Sequence, residues 1–123
     1  MDASIGYTDV RQAAIARSVA LRWMLESDVV DDDSLARHFG LTAQTVDAVR
    51  DGSPILVGSV RAAQIDRLVA AQSLLLDGYS PARMADWFRT SLPGLEGRSA
   101  RDLLLGDTDG TSRILEVAEA WMG

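Results

Sequence analysis

The sequence predicts an all-α protein, a helix-turn-helix lobe followed by a C-terminal helical lobe, with one core shared between them. Three observations carry this expectation. Apolar residues recur at three- and four-residue spacing through most of the chain, and no alternating run is long enough to make a convincing strand. Glycine and proline punctuate the pattern at helix-length intervals, as at Gly52–Pro54, Asp77–Gly78 and Pro93–Gly94. The stretch SLARHFGLTAQTVDAVRDG, Ser34 to Gly52, has the internal spacing of a helix-turn-helix unit. Residues 1–58 form the N-terminal helix-turn-helix region on this reading, and residues 59–123 the C-terminal dimerisation and partner-binding region.

The first helix is expected over Thr8–Glu26, with Thr8 as its N-cap. At 100° per residue, Val10, Ala14, Leu21, Met24 and Leu25 share one apolar face. Ile15, Val19 and Trp23 form a second stripe on roughly the opposite side. A helix apolar on two sides needs two covers, either both within the protomer or one supplied by a second copy through Ile15, Val19 and Trp23.

The second and third helices fall within Asp32–Phe39 and Thr42–Arg50. Ala36 is the small residue where they cross, Gly40 the turn residue tolerant of positive φ, and Leu35, Phe39, Leu41, Val46 and Val49 the inward set. The segment DGSPILVG, Asp51–Gly58, then breaks the pattern, with Ile55–Val57 as an extended linker or the stub of a wing. A fourth helix spans Ser59–Leu76 and closes at Asp77–Gly78. Ser80 caps a fifth that has Pro81 at its first position. After the loop SLPGLEG a short helix is expected over Ser99–Leu105, with Ser99 and Asp102 at capping-box spacing. GDTDG is a turn, and Thr111–Met122 closes the chain, making seven helices.

Composition bounds the function. The 123 residues are 47% hydrophobic and 24% charged, the balance of a soluble globular chain. Cysteine is absent, which excludes disulfides and thiolate metal sites. The first nine residues lack the basic start and apolar run of a secretory signal, and no apolar run approaches a bilayer span, so a cytoplasmic protein without a membrane partner is expected. His38 is the lone histidine and no triad can be built on it. The segment Asp107–Gly110 only partly matches a calcium loop, and there is no lysine for a phosphate-binding loop. No enzyme activity, metal or cofactor is expected.

Function therefore rests on binding. In a reading helix the exposed N-terminal residues meet base edges, here Thr42, Ala43, Gln44, Thr45 and Asp47, with Arg50 one turn on. Gln44 can pair with adenine bidentately, Thr45 can touch a phosphate or a thymine methyl, and Asp47 can accept from cytosine. Arg37 and Arg50 would clamp phosphates. Against them stand Asp31, Asp32 and Asp33 and a formal net charge of −6, with nine acids and five arginines in residues 1–60. So few cations bind one DNA site weakly. Operator binding then requires a homo-oligomer, in which coupled copies supply avidity. Two other readings stay open: a stand-alone repressor with a C-terminal dimerisation lobe, and a protein–protein adaptor whose helix-turn-helix never meets DNA.

The second half contains Trp87, Pro93, Leu95, Gly97, Ser99, Leu103 and Leu104 in that order. In this it resembles the toxin-binding region of the Xre–MbcA–ParS antitoxins, where a tryptophan-bearing helix leads through a proline loop to leucine, glycine, serine or threonine and a leucine pair. Ala100 stands where that family usually has proline. The order of parts also agrees over about residues 30–123. The resemblance implies a small helical antitoxin that represses its own operon by binding double-stranded DNA and that holds a RES-domain toxin. The residues themselves offer Trp87, Leu92, Leu95 and Trp121 as bulky surface near a loop, and Arg89, Arg98 and Arg101 as cations for a partner's carboxylates. Core packing is the competing reading for the tryptophans, and a solvated face for the arginines.

Overall fold

The computed structural model describes residues 3–106 and 110–122, apart from the side chains of residues 3–9. Among these residues it is all-helical, with seven α-helices: α1 Ala3–Glu26, α2 Asp32–Phe39, α3 Ala43–Asp51, α4 Ser59–Leu76, α5 Pro81–Arg89, α6 Ala100–Leu104 and α7 Thr111–Met122. A single 3-10 turn, Pro93–Leu95, sits inside the loop between α5 and α6. The partial calcium-loop match at Asp107–Gly110 rests on carboxylates that lie outside the described residues.

The centre of the molecule is the α4–α7 pair, with α1 packed on the other flank of α4. Ile65, Leu68, Ala71 and Leu75 repeat at three- and four-residue intervals along α4 and are fully buried, as are Ile114 and Ala118 of α7. Leu21 and Met24 of α1 and Leu35 and Phe39 of α2 continue the same contiguous core, which runs from the first helix to the last. Polar ties fix the helices in place. Arg17 forks onto Asp66 with Nε–Oδ1 at 2.7 Å and Nη2–Oδ2 at 3.0 Å, joining α1 to α4. The buried Gln72 donates to the Ala20 carbonyl at 3.2 Å, and Arg113 donates to the Gly94 carbonyl at 2.7 Å, pinning the 3-10 turn to α7.

Local signals set most helix ends. Ser80 Oγ accepts from the Arg83 amide with Pro81 at the first position, as expected. Ser99 and Asp102 form a reciprocal capping box, both bonds 3.0 Å, so even the five-residue α6 has a defined start.

Two expectations need correction, and one open choice is decided. Helix α1 begins at Ala3, so Thr8 lies inside it and is no cap; nothing in Ala3–Tyr7 stops a helix, a lone glycine costing only about 1 kcal/mol relative to alanine. The two-sided apolar pattern of α1 is divided differently. Val10, assigned to the core face, is exposed, whereas Trp23 of the opposite stripe packs against Phe88 with ring centroids 5.6 Å apart. Because α5 covers the C-terminal end of that stripe, only half-buried Ile15 and exposed Val19 remain for an outside contact. Of the two readings left open for Ile55–Val57, residues 53–58 match the extended linker and not the wing, since they form no strand; Ile55 is buried and Leu56 stands 87% exposed, an in-and-out alternation without a neighbouring strand to pair with.

Candidate nucleic-acid interface and partner groove

The unit from α2 to α3 is built by its own caps. Asp31 Oδ1 accepts from the Ser34 amide at 2.7 Å and starts α2. That amide bond, made to the ionised form, holds the Asp31 carboxyl below the usual aspartate range. Gly40 ends the helix at φ 63°, in the left-handed region where a residue with a Cβ is strained, and the Leu41 amide returns to the Ala36 carbonyl at 2.8 Å. Thr42 then turns the chain into α3, its Oγ1 accepting from the Thr45 amide at 3.1 Å. Leu35, Phe39, Val46 and Val49 close the interior of the unit, and the opposite face of α3 is left to solvent.

The outward set is close to the expected one. Arg37, Thr42, Ala43, Gln44, Asp47 and Arg50 lie on the outside of the unit, and all six are exposed. Thr45 is half-buried, and its hydroxyl lies 3.0 Å from Thr42 Oγ1, so it points back to the cap rather than outward. Arg50 is bound to Asp32, its Nε donating to Oδ2 at 3.2 Å and its Nη2 to Oδ1. That bidentate carboxylate raises the Arg50 pKa further above its already high value. Arg37 makes no ion pair among the described residues.

Sequence reasoning missed Arg61. From the first turn of α4 its guanidinium donates to the His38 carbonyl at 3.0 Å and to Gln64 Oε1 at 3.2 Å, lying across the face of Gly40. A cation at the C-terminal end of α2 satisfies an orphan carbonyl and the helix dipole together. The contact joins residues 23 apart, and no local pattern announces it. His38 stands edge-on to Phe39, ring centroids 4.8 Å apart.

The residues offered for a protein partner do not form one surface. Trp87 is 5% exposed and Leu92 and Leu95 are 2% exposed, so all three belong to the core. Arg89 donates to the Ser27 carbonyl and braces α5 against the end of α1. Arg98 and Arg101 are exposed around the start of α6, where both electrostatically favour the ionised form of Asp102. Trp121 alone among the tryptophans is broadly exposed. It is held by its indole N–H donating to the Tyr79 hydroxyl at 2.6 Å, and Arg83 stacks over the Tyr79 ring at 5.0 Å. A cavity of about 240 Å³ opens beside these groups, with Trp87 and Leu92 in its wall and Asp86 also lining it. The Trp87 indole N–H is buried without an acceptor among the described residues. Tyr79, Arg83 and Trp121 thus line one open surface between α5 and the end of α7.

Among the described residues, no group of three or more His, Asp or Glu side chains is placed to hold a metal ion, and no helix is long and apolar enough to cross a membrane. Comparison of the chain with protein-family models, with curated proteins and with solved structures returns no match.

Proposed function

We propose that this chain is a DNA-binding transcriptional regulator of the antitoxin type, using α3 to read an operator and its C-terminal half to hold a protein partner. The observation that carries the reading is the capped α2–turn–α3 unit, with Leu35, Phe39, Val46 and Val49 inside and Thr42, Ala43, Gln44 and Asp47 outside. Gln44, exposed in the first turn of α3, is the residue suited to an adenine edge. Arg37 and Arg50 are the flanking phosphate contacts. With this few cations in a chain of net charge −6, operator occupancy comes from two or more coupled copies. Ile15 and Val19 on α1 are the part of the apolar stripe left for that coupling. The partner, a RES-domain toxin if the resemblance to the antitoxins holds, would dock at the Tyr79–Arg83–Trp121 surface.

The test is a gel-shift series on duplex DNA from upstream of the chain's own coding sequence, run from about 50 mM salt upward because phosphate contacts weaken steeply with salt. A salt-sensitive shift that Gln44→Ala and Arg50→Ala together abolish supports the reading. A shift that survives the double substitution means that α3 is not the reader. One observation favours a second reading, a protein–protein adaptor: three aspartates crowd the start of α2, and one of them already occupies Arg50. Absence of any shift at the lowest salt selects that alternative.

A further inference from the structure

The cation that α3 would bring to a phosphate is already engaged. Arg50 meets Asp32 through two hydrogen bonds that join the last turn of α3 to the first turn of α2. Both side chains remain about half exposed, at 50% and 48%, so the guanidinium can swing away without disturbing the core. Its surroundings are mainly acidic, with Arg22 of α1 the cation nearby. Asp47 on α3 and Glu26 at the end of α1 act on it in the same sense as Asp32. Asp28, Asp31 and Asp33 line the same surface depression. Glu26 is itself paired with Arg22 at 2.7 Å, which leaves Asp32 as the carboxylate that closes on Arg50.

We infer that Asp32 is an intramolecular competitor for phosphate: in the DNA-free protein it occupies the Arg50 fork, and DNA binding exchanges this carboxylate for a backbone phosphate. The inference rests on the DNA-reading function proposed above and adds a latch to it. The exchange is chemically matched, because a guanidinium fork accepts a carboxylate and a phosphate in the same bidentate geometry. It is also energetically accessible, since exposed ion pairs are weak and give way readily. The latch keeps the resting protein off non-specific DNA, where contacts are almost wholly to phosphate. On an operator, base contacts from Gln44 and a second copy supply the free energy that opens it.

The experiment is a double-mutant cycle on the full chain, read by fluorescence anisotropy with a labelled duplex from upstream of its own coding sequence. The variants are Asp32→Asn, Asp33→Asn, Arg50→Gln and their combinations, with circular dichroism confirming the helical fold of each. Asp32→Asn is expected to tighten binding roughly threefold, the size set by an exposed pair, and to lose that gain when Arg50 is glutamine. Asp33→Asn, which removes the same charge outside the clasp, should give a smaller gain that is the same in both backgrounds. Asp32→Ser repeats the readout without an amide that can itself hold Arg50. If the Asp32 gain persists without Arg50, the effect is bulk charge and the latch is overturned. If Asp32→Asn and Asp32→Ser leave binding unchanged or weaken it, Asp32 does not compete and the latch is equally overturned. Should no variant and no wild-type protein bind the duplex, the DNA-reading function itself fails; an operator that responds to Gln44→Ala but not to Asp32→Asn removes the latch alone.

Discussion

The α2–α3 unit and the α5–α6 region are both pairs of short helices, the first joined by a tight turn and the second by a ten-residue loop, and they hold their shapes by different means. In α2–α3 the determinants are local: Asp31 caps onto Ser34, Gly40 turns the chain, and Thr42 caps onto Thr45, each within a few residues. In α5–α6 the caps at Ser80 and Ser99 are also local, but the burial of Trp87, Leu92 and Leu95 depends on distant elements. Arg89 reaches a carbonyl 62 residues away on the end of α1, and Arg113 reaches back 19 residues to Gly94. A region specified locally presents a surface that can be read from spacing. One specified by distant packing turns its bulky side chains inward wherever the rest of the chain provides a cover.

The sharpest way to break this comparison is to truncate the two tryptophans separately. Trp87 is core, so Trp87→Ala should cost about 3–5 kcal/mol, read as a lower midpoint in urea unfolding. Trp121 is about half exposed, and its replacement by alanine should cost less than about 1 kcal/mol, because the side chain gives up only the Tyr79 hydrogen bond and some packing at the rim. Equal destabilisation at the two sites would mean that the α5–α7 surface is as much core as Trp87 is. On the α3 side, Gln44→Ala should weaken operator binding by about 1–3 kcal/mol while leaving the urea midpoint in place, because the side chain touches solvent rather than core.

What was legible follows the same division. The helix count, the caps at Ser80 and Ser99, and the inward set of α2–α3 were readable because each depends on residues within one or two turns. The inner and outer faces of α1 were readable only in part, since the docking of α5 on Trp23 is a long-range event. Arg61 over Gly40 and Asp32 on Arg50 were not readable at all; they join residues 23 and 18 apart, the one by a side chain reaching from α4 to the end of α2 and the other across the packed α2–α3 pair. Leu92, Leu95 and Trp87 misled for a related reason. A proline loop flanked by leucines looks the same whether it faces solvent or, as here, is wound into a 3-10 turn tied to α7 with its leucines in the core.

Two turn-level substitutions sharpen the contrast at smaller scale. Gly40→Ala places a Cβ on a backbone at φ 63° and should destabilise the protein by about 1–2 kcal/mol through strain, since the added atom meets nothing closer than the Arg61 guanidinium at 3.5 Å. Ser99→Ala removes one arm of the capping box and should cost about 1 kcal/mol. The first change should lower operator affinity along with the melting temperature, because it distorts the turn that aims α3. The second should leave operator affinity untouched at temperatures where the protein stays folded. Loss of DNA binding in Ser99→Ala would show that α6 and the reading helix are coupled, and the division into a local and a packed region would not hold.

The smallest expected effect falls on both regions together and comes from protons. Asp31 in the first region and Asp102 in the second are each held below the ordinary aspartate range, chiefly by a backbone amide, that of Ser34 or Ser99, donating to the ionised carboxylate. A carboxyl whose folded pKa lies below its unfolded value binds fewer protons folded than unfolded. It therefore contributes stability in full above the unfolded value, about 3.9 for aspartate, and that stability disappears as the pH falls through the lower folded value. Urea midpoints measured from about pH 6 down to about pH 3 should accordingly decline, with the slope confined to the acid end. Asp31→Asn and Asp102→Asn should each flatten that slope by a similar fraction, because both carboxylates are exposed and each accepts a backbone amide at a helix start. A slope removed entirely by one substitution would place the acid sensitivity in a single region and mark its cap as the weaker point of the fold.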